Sequence, residues 1–247
     1  MSSSLLPGRG RYHPVLVRRL LALLLLILPL SARAEEPYVP TLPPPEGPTL
    51  TDVRGGASLA AYLGGALAGF LAHESGHLIA NLAYDNAPGI EGLTAFGFLP
   101  FFAITPRITC SGDTCIDNDG KVFGGGRRGK YVIVTAGYNV QHLSSELFLS
   151  LEPDLRHVRA PFRKGWIMFN VLLSAGYALA TWTRTEDDHG DAGNSARLSG
   201  IQRDLFGLLL IAPAALDLWR LARPGSRIAP WLSRGAKAGM VGITFSF

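Results

Sequence analysis

The chain has 247 residues, of which 47% are hydrophobic and only 17% are charged. Soluble domains carry roughly 25% charged residues, so this composition favours a helical membrane protein with polar loops over a soluble enzyme. The formal net charge is +4. The basic residues flank apolar runs and are not interleaved with exposed aromatic residues, which argues against a nucleic-acid partner.

The N-terminus has the pattern of a signal peptide. Four arginines between residues 9 and 19 precede an apolar stretch at residues 20–30, and Ala32-Arg33-Ala34 supplies small residues for cleavage. This stretch is shorter than the roughly twenty residues that span a bilayer. We therefore predict a cleaved signal peptide over residues 1–34, with an uncleaved anchor as the alternative. Export places the chain in a bacterial-type cell envelope, in either the inner or the outer membrane.

A linker and a helical domain follow. Residues 35–56 contain six prolines and predict an extended linker. Apolar runs then predict four helices, over residues 57–84, 131–151, 165–183 and 191–221, the last with a kink at Pro213. The punctuated apolar and aromatic segment at 92–123 predicts strand-and-turn structure or a re-entrant hairpin.

The C-terminal residues 241–247 alternate between apolar and small or polar side chains, which predicts a strand. The predicted fold is therefore mainly α: a helical membrane domain of about four helices over residues 57–221, with a short β-hairpin element. A C-terminal tail at 222–247 carries the strand.

The two cysteines, Cys110 and Cys115, are separated by four residues. In an exported chain such a pair predicts a disulfide across a turn. The alternative is a two-thiol metal site, for which the sequence offers no further soft ligand nearby.

One motif carries chemistry: His73-Glu74-Ser75-Gly76-His77 matches HExxH. Histidines at i and i+4 lie on one helix face, so both imidazoles can bind one zinc ion. Glu74 would then be the general base that takes a proton from water and passes it to a leaving amine. The alternative is that these polar residues bond to a neighbouring helix or line a wet interface.

Residues 70–80 around this motif resemble the active-site helix of site-2-protease-type intramembrane metallopeptidases. The resemblance implies a β-hairpin after that helix and a later helix with an aspartate ligand. Residues 135–141 are similar to the family's Ala-Gly-Pro-x-x-Asn segment, with Tyr138 in place of proline and Gln141 in place of asparagine. The family's Asn-Pro-Asp-Gly-like motif is absent as such.

Zinc needs a third protein ligand, with a fourth position left for water. Residues 186–191 are the densest remaining run of ligand-type side chains, and they precede an apolar helix. We predict Asp191 as the third ligand, with Asp188 and His189 as alternatives within the run. Glu146, inside an apolar helix, is a rival.

The sequence thus predicts a zinc-dependent metallopeptidase that hydrolyses membrane or envelope proteins or peptides at the lipid bilayer. His73, His77 and Asp191 hold the metal and Glu74 is catalytic. Gln141 positions the substrate, or it and His142 on the same helix are hydrogen-bond donors behind the metal ligands. Two alternatives stay open. One is a non-enzymatic envelope protein with a degenerate or structural HExxH helix, and the other is a zinc hydrolase with a non-peptide substrate such as a lipid.

Overall fold

The computed structural model describes residues 50–95, 99–183, 191–222, 228–234 and 239–245. The predicted signal peptide and most of the predicted linker lie outside these residues. The described chain is mainly helical, as predicted. Its helices are α1 (Gly56–Ala83), α2 (Gly126–Leu151), α3 (Pro161–Thr183), α4 (Asp191–Ser199) and α5 (Arg203–Ala222). Its strands are β1 (Gly89–Ala95), β2 (Leu99–Thr105), β3 (Thr109–Ser111), β4 (Thr114–Ile116), β5 (Ile228–Arg234) and β6 (Gly239–Phe245).

Helix α1 is the element on which the others assemble. It is rich in Ala and Leu, which favour helix, and its start is fixed by Ser58, whose hydroxyl accepts bonds from the backbone N–H groups of Arg54 and Gly55. It ends at Ala83, and Asp85, two residues further on, has φ 52°. α1 packs against both α2 and α3.

Glycines bring the backbones of α1 and α3 into contact. A side chain at Gly65 would overlap the carbonyl of Phe162, and one at Gly165 would overlap the carbonyl of Tyr62. Small residues at such crossings allow the close approach that membrane helices use in place of large apolar interfaces. The crossing is therefore set by backbone contact.

Two hairpins connect α1 to α2, where strand-and-turn structure was predicted. β1 and β2 are antiparallel, with Gly89 opposite Thr105, and the ring of Phe70 on α1 contacts the rings of Phe101 and Phe102 on β2. β3 and β4 are joined by the predicted disulfide between Cys110 and Cys115. The ring contacts of Phe70 hold β2 beside the HExxH helix.

The prediction of one helix over residues 191–221 is wrong. The chain breaks at Gly200, whose φ of 70° is in the left-handed region that L-residues with a side chain seldom adopt. α4 and α5 are consequently separate helices, and the described chain has five helices in place of about four. Pro213, where a kink was predicted, lies inside α5.

The C-terminal strand is present, but it is half of a hairpin. β6 pairs antiparallel with β5, from Ile228 opposite Phe245 to Arg234 opposite Gly239. β5 was not predicted from the sequence because it contains Pro230, and proline has no N–H group to donate to the hydrogen bonds between strands. A two-stranded hairpin tolerates proline where an interior strand would not.

Among the described residues, α1 and α5 are long and apolar enough to cross a membrane. The core helix of a soluble protein can meet the same criterion when it is mostly buried. In α1, however, only 28% of the most apolar stretch is buried, and in α5 only 39%. Much of the apolar surface of both helices faces outward.

The α1–α3 crossing can be tested with neighbouring glycines. Gly65→Ala should destabilise the protein by about 1–3 kcal/mol, because the added methyl meets backbone and cannot be accommodated by a side-chain rotation. Gly64→Ala is the matched control. Its methyl would lie 3.9 Å from the Phe162 ring, so we expect no loss, and up to about 1 kcal/mol gain from helix propensity. Thermal unfolding of the purified chain measures both; equal stability of the two variants would contradict this packing.

Candidate metal centre

The two histidines of the HExxH motif face each other in the protein interior. His73 and His77 are one turn apart on α1, and each is only 1% exposed. Their ring centroids are 4.9 Å apart, and their Nε2 atoms are separated by 3.2 Å. The two nitrogens are therefore close enough to act on one ion.

The protonation of His77 follows from its partner on α2. Its Nδ1 lies 2.8 Å from the carbonyl oxygen of Ile133. A carbonyl only accepts hydrogen bonds, so Nδ1 must carry the proton. In the neutral ring, Nε2 then has a bare lone pair.

The same logic applies to His73, whose Nδ1 lies 3.2 Å from Oε1 of Gln141. The Gln141 amide nitrogen is 2.6 Å from the carbonyl oxygen of Asn170 and 2.7 Å from the Ser174 hydroxyl. These acceptors identify the nitrogen end of the amide, so the oxygen end faces His73. His73 consequently donates from Nδ1 and, when neutral, has its lone pair on Nε2.

Asp191 brings a carboxylate to the two nitrogens. Its Oδ2 is 3.3 Å from Nε2 of His77 and 3.8 Å from Nε2 of His73. Asp191 is the first residue of α4, where the helix dipole stabilises negative charge. Burial would raise the pKa of Asp191, but protonated His77 and His73 outweigh burial through their positive charges and the hydrogen bonds that they donate, and they hold that pKa well below its usual range. The carboxylate is therefore ionised at neutral pH.

Three electron-rich atoms thus meet where both imidazoles are buried and the Asp191 side chain is 23% exposed. Two imidazole lone pairs and a carboxylate oxygen repel one another unless a positive charge lies between them. A proton or a metal ion can supply that charge. These residues form a cluster whose ligand atoms all lie within 4.8 Å of one another and could hold a metal ion.

Gly137 forms the α2 wall of this cluster. A Cβ built at Gly137 would lie 2.6 Å from Nε2 of His73 and closer still to Nε2 of His77. Any larger residue would therefore occupy the space in front of the ligand atoms. Gly76 on α1 faces the α2 backbone, and a Cβ there would lie 2.6 Å from the Ala136 carbonyl oxygen. These two glycines let α1 and α2 approach each other at the site.

Glu74 follows His73 on α1, and its carboxyl group interacts with the cluster. Its side chain is buried, and Oε2 accepts a 2.7 Å hydrogen bond from the backbone N–H of Ile104 on β2. It interacts electrostatically with His73, His77 and Asp191. The bond to β2 engages one carboxylate oxygen and fixes the orientation of the group.

Two tyrosines close the site and were not predicted as site residues. The Tyr177 ring is stacked on the His73 ring, with an angle of 20° between them, and its hydroxyl lies 3.3 Å from Oδ2 of Asp191. The Tyr138 ring packs edge-on against both His73 and Tyr177. No spacing in the sequence indicates Tyr177, because its contact with α1 depends on the α1–α3 crossing.

The remaining predicted residues lie elsewhere or act differently. Asp188 and His189 fall outside the described residues. Glu146 is ion-paired with Arg220, 2.6 Å away, and is not part of the cluster. The Gln141 amide was predicted to position the substrate. Its oxygen and nitrogen are instead hydrogen-bonded to His73 and to α3.

A methyl group at Gly137 should abolish metal binding. In Gly137→Ala the methyl would occupy the space before both Nε2 atoms, so we expect bound metal to fall from about one divalent ion per chain to near zero. Gly176→Ala on α3 is the control, since a Cβ there meets nothing within 4 Å. Metal analysis after dialysis measures both variants. Full metal content in Gly137→Ala would contradict the assigned site.

Comparisons of the chain with protein-family models, with curated proteins and with solved structures find no match. The resemblance of residues 70–80 to the active-site helix of site-2 proteases stays a prediction that these comparisons do not test.

Proposed function

We propose that the protein is a zinc-dependent peptidase whose metal is held by His73, His77 and Asp191. The convergence of two imidazole nitrogens and a carboxylate oxygen carries the proposal. A zinc tetrahedron with bonds of about 2.0–2.1 Å has ligand atoms about 3.3 Å apart, and the separations here are 3.2, 3.3 and 3.8 Å. Two histidines and one carboxylate are a ligand set of catalytic zinc sites, in which a fourth position stays open.

When bound, zinc would act as a Lewis acid that lowers the pKa of water to about 7. Glu74 supplies the proton transfers: its carboxylate accepts a proton from the attacking water and delivers it to the leaving amine. The Ile104 N–H holds the carboxylate in place through that cycle, because a backbone donor on a paired strand cannot rotate away. His73 and His77 keep their Nδ1 protons throughout, bonded to Gln141 and Ile133.

We propose a membrane location for this chemistry. Leu59, Leu63, Leu67 and Leu71 recur every four residues along α1 and are 44–58% exposed. This stripe runs along the helix that bears the metal ligands. Other exposed apolar side chains lie on α2, α3 and α5: Leu143, Leu151, Leu172, Leu179, Leu208 and Trp219. Exposed apolar side chains on four helices support contact with lipid tails and substrates in membrane or envelope proteins.

The 3.3 Å contact between His77 and Asp191 also supports a second candidate. A proton in place of a metal would make this contact a buried ion pair, and the chain a non-enzymatic envelope protein. Buried ion pairs can specify one helix arrangement without any catalytic role. Zinc retained through purification would exclude this candidate, since the proton and the metal compete for the same lone pairs.

Replacing the proposed base should separate catalysis from metal binding. Glu74→Gln preserves size and the acceptor for the Ile104 N–H, so zinc content should not change. Cleavage of a quenched fluorescent peptide library in detergent should fall at least about 100-fold, the contribution of a positioned general base. Glu91→Gln makes the same chemical change at an exposed strand position and should retain full activity.

Two outcomes would reject the peptidase proposal. One is Glu74→Gln activity equal to that of the wild type. The other is a zinc-loaded wild type that cleaves no library member but hydrolyses lipid esters, in which case the same centre would serve a non-peptide substrate.

A further inference from the structure

We infer that Gln141 is a positioning residue that sets both the tautomer and the orientation of His73 for metal binding. The inference rests on the proposed metal centre and concerns how one ligand of it is controlled. Gln141 lies on α2, one helical turn beyond Gly137, and is only 1% exposed. It therefore sits behind His73, on the side away from the ligand cluster.

The amide of Gln141 has only one orientation that satisfies its neighbours. Both acceptors near Nε2, the Asn170 carbonyl oxygen and the Ser174 hydroxyl, are within 2.7 Å. Reversing the amide would place its oxygen against the carbonyl oxygen and would turn an NH₂ group toward His73. These bonds to α3 therefore determine that the oxygen of the Gln141 amide, and not its nitrogen, faces the His73 ring.

That orientation forces the proton of His73 onto Nδ1. Oε1 of Gln141 can only accept, so the bond at 3.2 Å requires an Nδ1–H donor. The lone pair then belongs to Nε2, the atom that faces His77 and Asp191. The backbone carbonyl of Ile133 places the proton of His77 on Nδ1 in the same way. For His73 the acceptor is a side chain, so it can be changed by mutation.

Gln141 is itself held firmly. The side-chain nitrogen of Asn170 donates to the Gln141 carbonyl oxygen at 3.0 Å and to the Ser145 hydroxyl at 2.8 Å. Gln141 and Asn170 thus bond each other's backbone, which locks α2 to α3 at this level. Hydrogen-bond partners of metal-bound histidines fix the ring and raise its basicity. A neutral amide does so without burying another charge.

The experiment uses the full chain in detergent and cobalt(II) as a spectroscopic substitute for zinc. Gln141→Met matches the side chain in length but loses the acceptor and both donors. We expect its cobalt affinity, measured by chelator competition, to fall by about 10–100-fold, and the cobalt absorption bands to shift as the ligand ring reorients. Gln141→Glu restores an acceptor for Nδ1–H and should keep the affinity within about tenfold of the wild type.

Ser174→Ala is the matched control. It removes one acceptor of the Gln141 nitrogen and leaves both the Asn170 carbonyl and the bond to His73, so its affinity should change by less than about threefold. Apo-protein unfolding temperatures are measured in parallel. If Gln141 were only structural, affinity would follow these temperatures, and Gln141→Glu, which loses its bonds to α3, would bind as weakly as Gln141→Met.

The outcomes separate this inference from the proposed function. A wild type that binds neither cobalt nor zinc would reject the metal centre itself. A wild type that binds tightly, together with Gln141→Met of equal affinity, would reject only the role of Gln141. Should Gln141→Met fail to fold, nitrogen-15 spectra of the zinc-loaded wild type decide the matter. A His73 ring protonated at Nδ1 is expected, and a ring protonated at Nε2 would overturn the inference.

Discussion

The structure depends on the close approach of three electron-rich atoms, which are the Nε2 atoms of the buried His73 and His77 and Oδ2 of the partly exposed Asp191. Without a positive charge between them the arrangement would be repulsive. The surrounding contacts all favour it: carbonyl and amide oxygens retain protons on the far sides of both rings, and a helix N-terminus stabilises the carboxylate. These contacts favour a positive charge, from a proton or a metal ion, among the three atoms.

Close backbone contacts make this meeting possible. Gly76 and Gly137 let α1 and α2 approach until the imidazoles lie against the α2 backbone, and Gly65 lets α1 rest on α3. The Asp191 carboxylate is positioned by a different set of contacts. Ala192 and Ala196 of α4 pack in one core cluster with Tyr138 of α2, so the packing of a nine-residue helix positions Asp191. Phe206 and Leu210 of α5 belong to the same cluster, so α5 helps to hold α4 although the break at Gly200 separates the two helices.

Local patterns could be predicted from the sequence, whereas contacts between distant elements could not. The i, i+4 spacing places His73 and His77 on one face of α1 whatever the fold, and the resemblance pointed to an aspartate before a later helix. The break at Gly200 was missed because a single glycine is also tolerated within a helix. The functions of Gly137 and Gln141 depend on how α1 crosses α2 and α3, which no spacing within one segment reports. Tyr138, noted only as a departure from a proline, packs against His73.

Either a metal ion or a proton lies between the two imidazole nitrogens and the carboxylate oxygen, and the two cases imply different functions. X-ray absorption at the zinc edge of the purified full chain tests this most directly. We expect zinc to remain bound, with two imidazole nitrogens and carboxylate or water oxygens at about 2.0–2.1 Å. Absence of zinc from a folded chain supplied with the metal, or a spectrum with no imidazole scattering, would contradict a metal centre at His73, His77 and Asp191.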